Sequence, residues 1–309
     1  MTRLRTVSVS VAVAAFAAAA FGALATAATA PVPATVAGCP SFPASNPWNR
    51  RVDTLPVARD SATLIASIGL DRGLHADFGS GLWEGMPIGI PVTVVSRATP
   101  RAKVTFDYAD ESDRVAYPIP ANVRIEGGSD RHAILVDRDA CRLYELYALS
   151  RTGRGWTAGS GASWDLRSNR LRPAGWTSAD AAGLPILPGL ARPEEALAPG
   201  GIRHALRFTV PATRRAYIAP ARHFASDSSD PALPPMGLRV RLRASYPVAS
   251  LPPQARAVAV ALQRYGMILA DNGSPWFVSG VPDARWANDD LHALGRITGT
   301  DLEVVGATR

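Results

Sequence analysis

The stretch HAILVDRDACRLYELYAL, residues 132–149, constrains the fold more than any other. Two runs rich in β-branched and aromatic residues flank the polar segment Asp137–Ala140. They are expected to be antiparallel strands joined by a hairpin turn. Cys141 opens the return run, and the chain has just one other cysteine, Cys39. An even pair in an exported chain is expected to form a disulfide. The bridge would close a loop of roughly 100 residues and tie the start of the mature chain to this hairpin.

Export is read from the first 27 residues. MTRLR is a basic lead, VSVSVAVAAFAAAAFGAL an apolar core, and Ala25-Thr26-Ala27 a small-residue cleavage site. The segment runs straight into that cleavage motif, so a signal peptide is expected over 1–27 rather than a membrane anchor, and no membrane association after cleavage. The formal charge of +7 falls to +5 once Arg3 and Arg5 leave, and Lys103 is the sole lysine. Arginines and acids are interleaved, as codon bias would produce, which argues against a nucleic-acid surface. No G-x-S-x-G, P-loop, G-x-G-x-x-G or H-E-x-x-H string occurs, so serine-hydrolase, nucleotide-binding and zincin readings lose their usual support.

Residues 28–50 read as a proline-punctuated lead-in lying across the surface, and 51–309 as a single β-rich domain. Strands are expected over IPVTVV (90–95), KVTFDYA (103–109), RHALRFTV (203–210), RRAYIAPA (214–221) and LRVRLRASY (238–246), while the glycine-rich 155–169 reads as one or two edge strands or a long loop. In LRVRLRASY the alternation puts Arg239, Arg241 and Arg243 on an outward, solvated face. Asn272-Gly273 predicts a hairpin between MILAD and WFVSG, and LEVV a closing strand. Helices are few: 55–69, the run LPPQARAVAVALQRYG and 288–297. The expected fold class is mainly β, a single β-sandwich or jelly-roll-like domain with a few peripheral helices.

The strings TFDYADESD, YPIPANVRIEGG, GWTSADAAGLPILPGL, GGIRHALRFT, RRAYIAPARHFAS and ADNGSPWFVSGVPDARW together resemble a group of secreted proteins of actinobacteria and other GC-rich bacteria. The resemblance spans nearly the whole mature chain. It implies export and one continuous domain, and it carries over no activity or catalytic residue.

Chemistry is sought where polar residues gather on loops held by strands. RIEGGSDRHAILVD concentrates Glu126, Asp130 and His132 beside two glycines: an acid and a base, with an imidazole to orient one of them. His132, His204 and His223 each follow an arginine at a strand boundary, so three imidazoles meeting on a metal is one alternative; without an H-x-H pair no metal is assigned, and no cofactor. Trp164 and Trp176, with Asp165 and Asp180 near them, form a candidate sugar-binding set, to which His223 is added. Asp271-Asn272-Gly273 reads as a turn before a catalytic group.

The leading expectation is a secreted carbohydrate-active enzyme, in its sharpest form a glycoside hydrolase. Glu126 and Asp130 are the acid and base candidates, His132 and His204 the orienting groups, and Trp164 and Trp176 the platforms. The alternative is a non-catalytic protein that binds polysaccharide or cell-wall glycan, and behind it a His-ligated metalloenzyme. A monomer is expected.

Overall fold

The turn at Asp137–Ala140 closes as expected. The computed structural model describes residues 34–306, so the 1–27 signal segment and its cut lie outside the described residues. Strand Ala133–Asp137 pairs antiparallel with Arg142–Tyr147, with Asp137 opposite Arg142. Asp137 Oδ1 accepts the amides of Asp139 and Ala140 at 3.1 Å each, which replaces water on the turn's free donors. Ser160–Asp165 joins antiparallel on one side and Val92–Val95 parallel on the other, making four strands. Alternation sends Ile134, Val136 and Leu143 into one apolar cluster, and Leu135, Tyr144 and Leu146 into another.

A second sheet has six strands, in the order Leu302–Val304, Arg239–Leu242, Met267–Asn272, Leu206–Val210, Phe277–Ser279, His75–Asp77. Its core is shared with helix Ser61–Ile68, helix Pro253–Arg264 and the short helix Asn288–His292. A three-stranded sheet and three two-stranded ribbons complete the strands. The fold is therefore mainly β, but it is several open sheets rather than one sandwich. The physical reason lies in coverage: the four-stranded sheet has an apolar cluster on each face, and the six-stranded sheet packs on helices.

Between the two large sheets runs residues 178–193, buried almost throughout. Leu184 and Ala191 enter the core of the six-stranded sheet, while Ile186, Leu187 and Leu190 enter that of the four-stranded one. Apolar residues alone would leave this irregular backbone unsatisfied. Buried Glu145 supplies acceptors: its carboxylate takes the amides of Ile186 and Leu187 at 2.9–3.0 Å. On the other side Asp180 forms a bidentate pair with Arg207, both contacts 2.8 Å.

Several local expectations change. Met267–Asn272 and Phe277–Ser279 are strands, yet they do not pair as a hairpin about Asn272-Gly273. Leu206–Val210 lies between them, parallel to the first and antiparallel to the second. RRAYIAPA is not a strand: beyond a single bridge from Tyr217 to Met236 it runs as loop, since Pro220 lacks a ladder donor. The lead-in does more than cross the surface, because Phe42 and Trp48 are buried in the two different cores. Arg239 and Arg241 are not simply solvated. Arg239 donates to the carbonyl of Pro47 at 2.8 Å, and Arg241 pairs with Glu303 at 2.8 Å.

Cys39 and Cys141 form the disulfide, 102 residues apart in sequence. Removing it as C39A/C141A is expected to lower unfolding free energy by about 4–5 kcal/mol from loop entropy, read by urea denaturation. Replacing Arg207 by Met leaves Asp180 buried without its counter-ion and is expected to cost about 3–5 kcal/mol. The double variant R207M/D180L should be less destabilised than R207M alone, and a strictly additive cycle would show that the two side chains act independently.

Candidate functional site

The loop that carries Glu126 is closed by its own ends. The Glu126 amide donates to the His132 carbonyl at 2.9 Å, and the His132 amide returns a 3.3 Å bond to Glu126 Oε2. Gly128 and Arg131 adopt positive φ, which lets the chain reverse within these few residues. The closure sets His132 Nδ1 2.5 Å from the same Oε2. Nε2 of the ring lies 3.0 Å from the carbonyl oxygen of Ala179, an acceptor only, so Nε2 carries a proton. Burial alone would drive His132 neutral. The Glu126 hydrogen bond and charge outweigh it and push the imidazole up to about 9. Burial likewise opposes an ionised Glu126, yet His132 holds that carboxyl below its usual range. The pair is an imidazolium and a carboxylate, with Glu126 Oε1 left without a protein hydrogen bond among the described residues.

Glu126 faces a cleft of about 820 Å³. One wall is the loop 126–130, which leads into the four-stranded sheet. The edge strand His75–Asp77 of the six-stranded sheet, with Phe277 beside it, also lines the cleft, as does the small ribbon of Leu82–Trp83 paired with Met86–Pro87. Asp77 opens onto the cleft, but its walls displace bulk solvent. That loss raises the Asp77 carboxyl above its ordinary range, and the charge of Glu126 adds to the rise. The rings of His75 and Phe277 stack with centroids 4.2 Å apart on the same wall, and desolvation lowers His75, favouring its neutral form. Trp83 stands out from the ribbon at 72 % exposure.

Beneath the cleft a chain of charges of alternating sign runs from one sheet to the other. His132 contacts the carbonyl of Ala179, and the next residue, Asp180, grips Arg207. Arg207 also donates to Ser279 Oγ at 2.8 Å and lies 3.5 Å from Asp271 Oδ2. The register between Leu206–Val210 and Met267–Asn272 shifts between Phe208 and Thr209, so Asp271 rather than Ala270 stands opposite Thr209. This bulge puts Asp271 on the strand face that carries Arg207. Burial and the nearby Asp180 charge push Asp271 up to about 7, against the pull of Arg207. Burial similarly drives Glu145 up to about 8, with the two backbone amides opposing it.

The structure divides the expected site residues. Glu126 and Asp130 share the cleft, Asp130 on its exposed part, and His132 backs Glu126 from below. His204 is elsewhere: it is buried with Nε2 3.0 Å from Glu195 and 3.2 Å from Arg192, so it orients nothing in the cleft. His223 binds the carbonyl of Ala181 at 2.8 Å and does not line the cleft. The three imidazoles thus have three separate partner sets. Among the described residues no group of three His, Cys, Asp or Glu side chains is arranged to hold a metal ion. Trp164 is core rather than platform, and Arg172 lies across both it and Trp176 at 5.7 and 5.5 Å from the ring centroids. Asp165 caps the amide of Arg167 in a turn, and Asp180 is fully buried under the cleft instead of facing it.

Sequence reasoning passed over Asp77, Trp83, Arg207 and, in the main, Asp271. A signal existed for two of them. HADFGSG sets an acid in a strand-like triplet before glycines, and Arg207 interrupts an apolar strand at a position where alternation buries it. No family model matches the chain, nor does any curated protein or solved structure.

The buried groups set a pH dependence of stability. His132 contributes below its ordinary value near 6.5, and the contribution is lost as pH rises through about 9. Glu145 and Asp271 bind protons more tightly when folded, so their contribution is lost as pH rises through about 8 and 7. Glu126 acts oppositely, contributing above the ordinary carboxylate range and losing that contribution in acid. Melting temperature is therefore expected to peak near pH 4–5, at the ordinary carboxylate values, and to fall steadily to pH 9. E145Q should flatten part of that fall, as measured by circular dichroism; an unchanged slope would remove Glu145 from the account.

Proposed function

We propose that the protein is an exported glycan hydrolase that cuts glycosidic bonds between Asp77 and Glu126. One observation carries the reading: two carboxylates lining a single cleft are pushed in opposite directions, Asp77 above its ordinary range and Glu126 below it. Such a divergence is how one site holds an acid and a base together at one pH. Asp77, the carboxyl raised above its ordinary range, is the proton donor: it protonates the glycosidic oxygen as the bond to the anomeric carbon breaks. Glu126, kept ionised by His132, acts through its unbonded Oε1 on the opposite side. It either takes the proton of an attacking water or attacks the anomeric carbon itself. His132 is a positioning residue here, since it holds Glu126 and meets no substrate.

Export rests on the sequence reading of residues 1–27. It is supported by the Cys39–Cys141 disulfide and by the absence, among the described residues, of a helix long and apolar enough to cross a membrane. The aromatic wall and the exposed Trp83 favour a glycan over a charged small molecule, because sugar rings present C–H faces to such surfaces. A purely binding role would use the same aromatic wall without needing Asp77 and Glu126 to differ.

Release of reducing ends from a panel of polysaccharides tests the reading. D77N and E126Q should each lower kcat by about 10²–10⁴-fold while melting as cooperatively as the parent. H204A should lower stability without a specific effect on kcat. Full activity in both carboxylate variants would overturn the assignment.

A further inference from the structure

The charge of the cleft wall runs against the charge of the molecule. The chain has 33 lysines and arginines against 26 acids, yet neither lysine nor arginine lines the cleft. Its walls carry four carboxylates: Asp77, Glu84, Glu126 and Asp130. Two suffice for bond cleavage. Glu84 and Asp130 are surplus to that chemistry, both are exposed, and neither forms an ion pair among the described residues. Elsewhere this arginine-rich protein pairs its acids readily, as Asp283 with Arg285 and Asp53 with Arg51 show. Glu84 sits at positive φ in the turn of the small ribbon, next to Trp83. That ribbon is seated closely on the catalytic loop: a Cβ added at Gly127 would come 2.6 Å from Met86 Cβ. The surplus carboxylates and the exposed indole are therefore held in one register with Glu126.

We propose that the cleft takes a glycan whose sugars bear free amino groups, one ring stacked on Trp83 and its ammonium groups facing Glu84 and Asp130. An ammonium gains twice in this setting, from the carboxylates and from the indole face. A uronate polymer would meet the unpaired carboxylates of Glu84 and Asp130 with no lysine or arginine on the cleft wall to offset them. A neutral sugar would stack on Trp83 but leave Glu84 and Asp130 unused. This inference rests on the hydrolase reading for the location of the cleft, not for its result.

The test measures binding with cleavage blocked. D77N full-length mature protein is titrated with hexamers of glucosamine, N-acetylglucosamine and glucose, and with an oligouronate, following tryptophan fluorescence and calorimetry at 20 mM and 500 mM salt. The glucosamine hexamer should bind about tenfold or more tightly than the neutral ones in low salt, with the gap narrowing in high salt. E84Q/D130N should erase the gap while keeping neutral-sugar affinity, and W83A should weaken all sugars together. Equal binding of the neutral hexamers, binding of the uronate as tight as that of glucosamine, or no binding of glucosamine overturns the proposal. Cleavage of neutral glycans by the parent with no amino preference would sink this inference and leave the hydrolase reading intact. Amino-selective binding without cleavage of any glycan would do the reverse.

Discussion

The buried pair of Asp180 and Arg207 is the constraint on which the arrangement depends. Asp180 belongs to the irregular segment that fills the space between the two large sheets, and Arg207 belongs to a central strand of one of them. A hydrophobic filler could pack there, but it would not fix where the segment sits along the strand. Two parallel N–H···O bonds do fix it, since the guanidinium fork accepts a carboxylate in one orientation. Once Asp180 is placed, the carbonyl of Ala179 is placed, and with it the ring of His132. The carboxylate on the cleft wall is thus positioned from a strand of the opposite sheet.

This route explains why the two acids of the cleft differ. Glu126 is reached by the positive end of the buried chain of charges, through an imidazole that cannot leave its carbonyl acceptor. Asp77 has no cationic contact of that kind: it lies on an edge strand, where the walls displace solvent and the nearest strong field is that of Glu126 itself. The asymmetry comes from the topology, because one acid is on a loop backed by the charged layer and the other is on a sheet edge that lines the same cleft.

What the sequence made legible follows the same division. Local chemistry was readable: the Asp137–Ala140 turn, the strand pattern around it and the long helix Pro253–Arg264, stopped just before Gly266, depend on neighbours in the chain, and the two cysteines had only each other to pair with. The closeness of Glu126 and His132 was readable for that reason also, since six residues and two glycines bring them together. Asp77 lies 49 positions before Glu126, and only the placement of His75–Asp77 as the last strand of its sheet makes them neighbours. The expected hairpin at Asn272-Gly273 failed on a similar point. The turn signal is genuine, but Leu206–Val210 inserts between its arms, and no local pattern encodes that insertion. Trp164 and Trp176 were attractive as platforms because tryptophan is rare, and both are instead occupied by a single arginine. His204 was placed because, like His132, it follows an arginine at a strand boundary, whereas its side-chain partners come from the short helix Pro193–Ala196 and the residue before it.

The charged layer also ties the fold to pH. His132 is pushed up by Glu126, and burial raises the carboxyls of Asp271 and Glu145 to about 7 and about 8. As pH rises through about 7 and 8, Asp271 and Glu145 ionise, and the layer gains negative charge with no new cation to match it. That charge reinforces protonation of His132, whose field both carboxyls feel. The same buried groups therefore act in two senses as pH rises: the new negative charge holds the proton on His132, while each carboxyl that ionises loses the stability its proton had supplied to the fold.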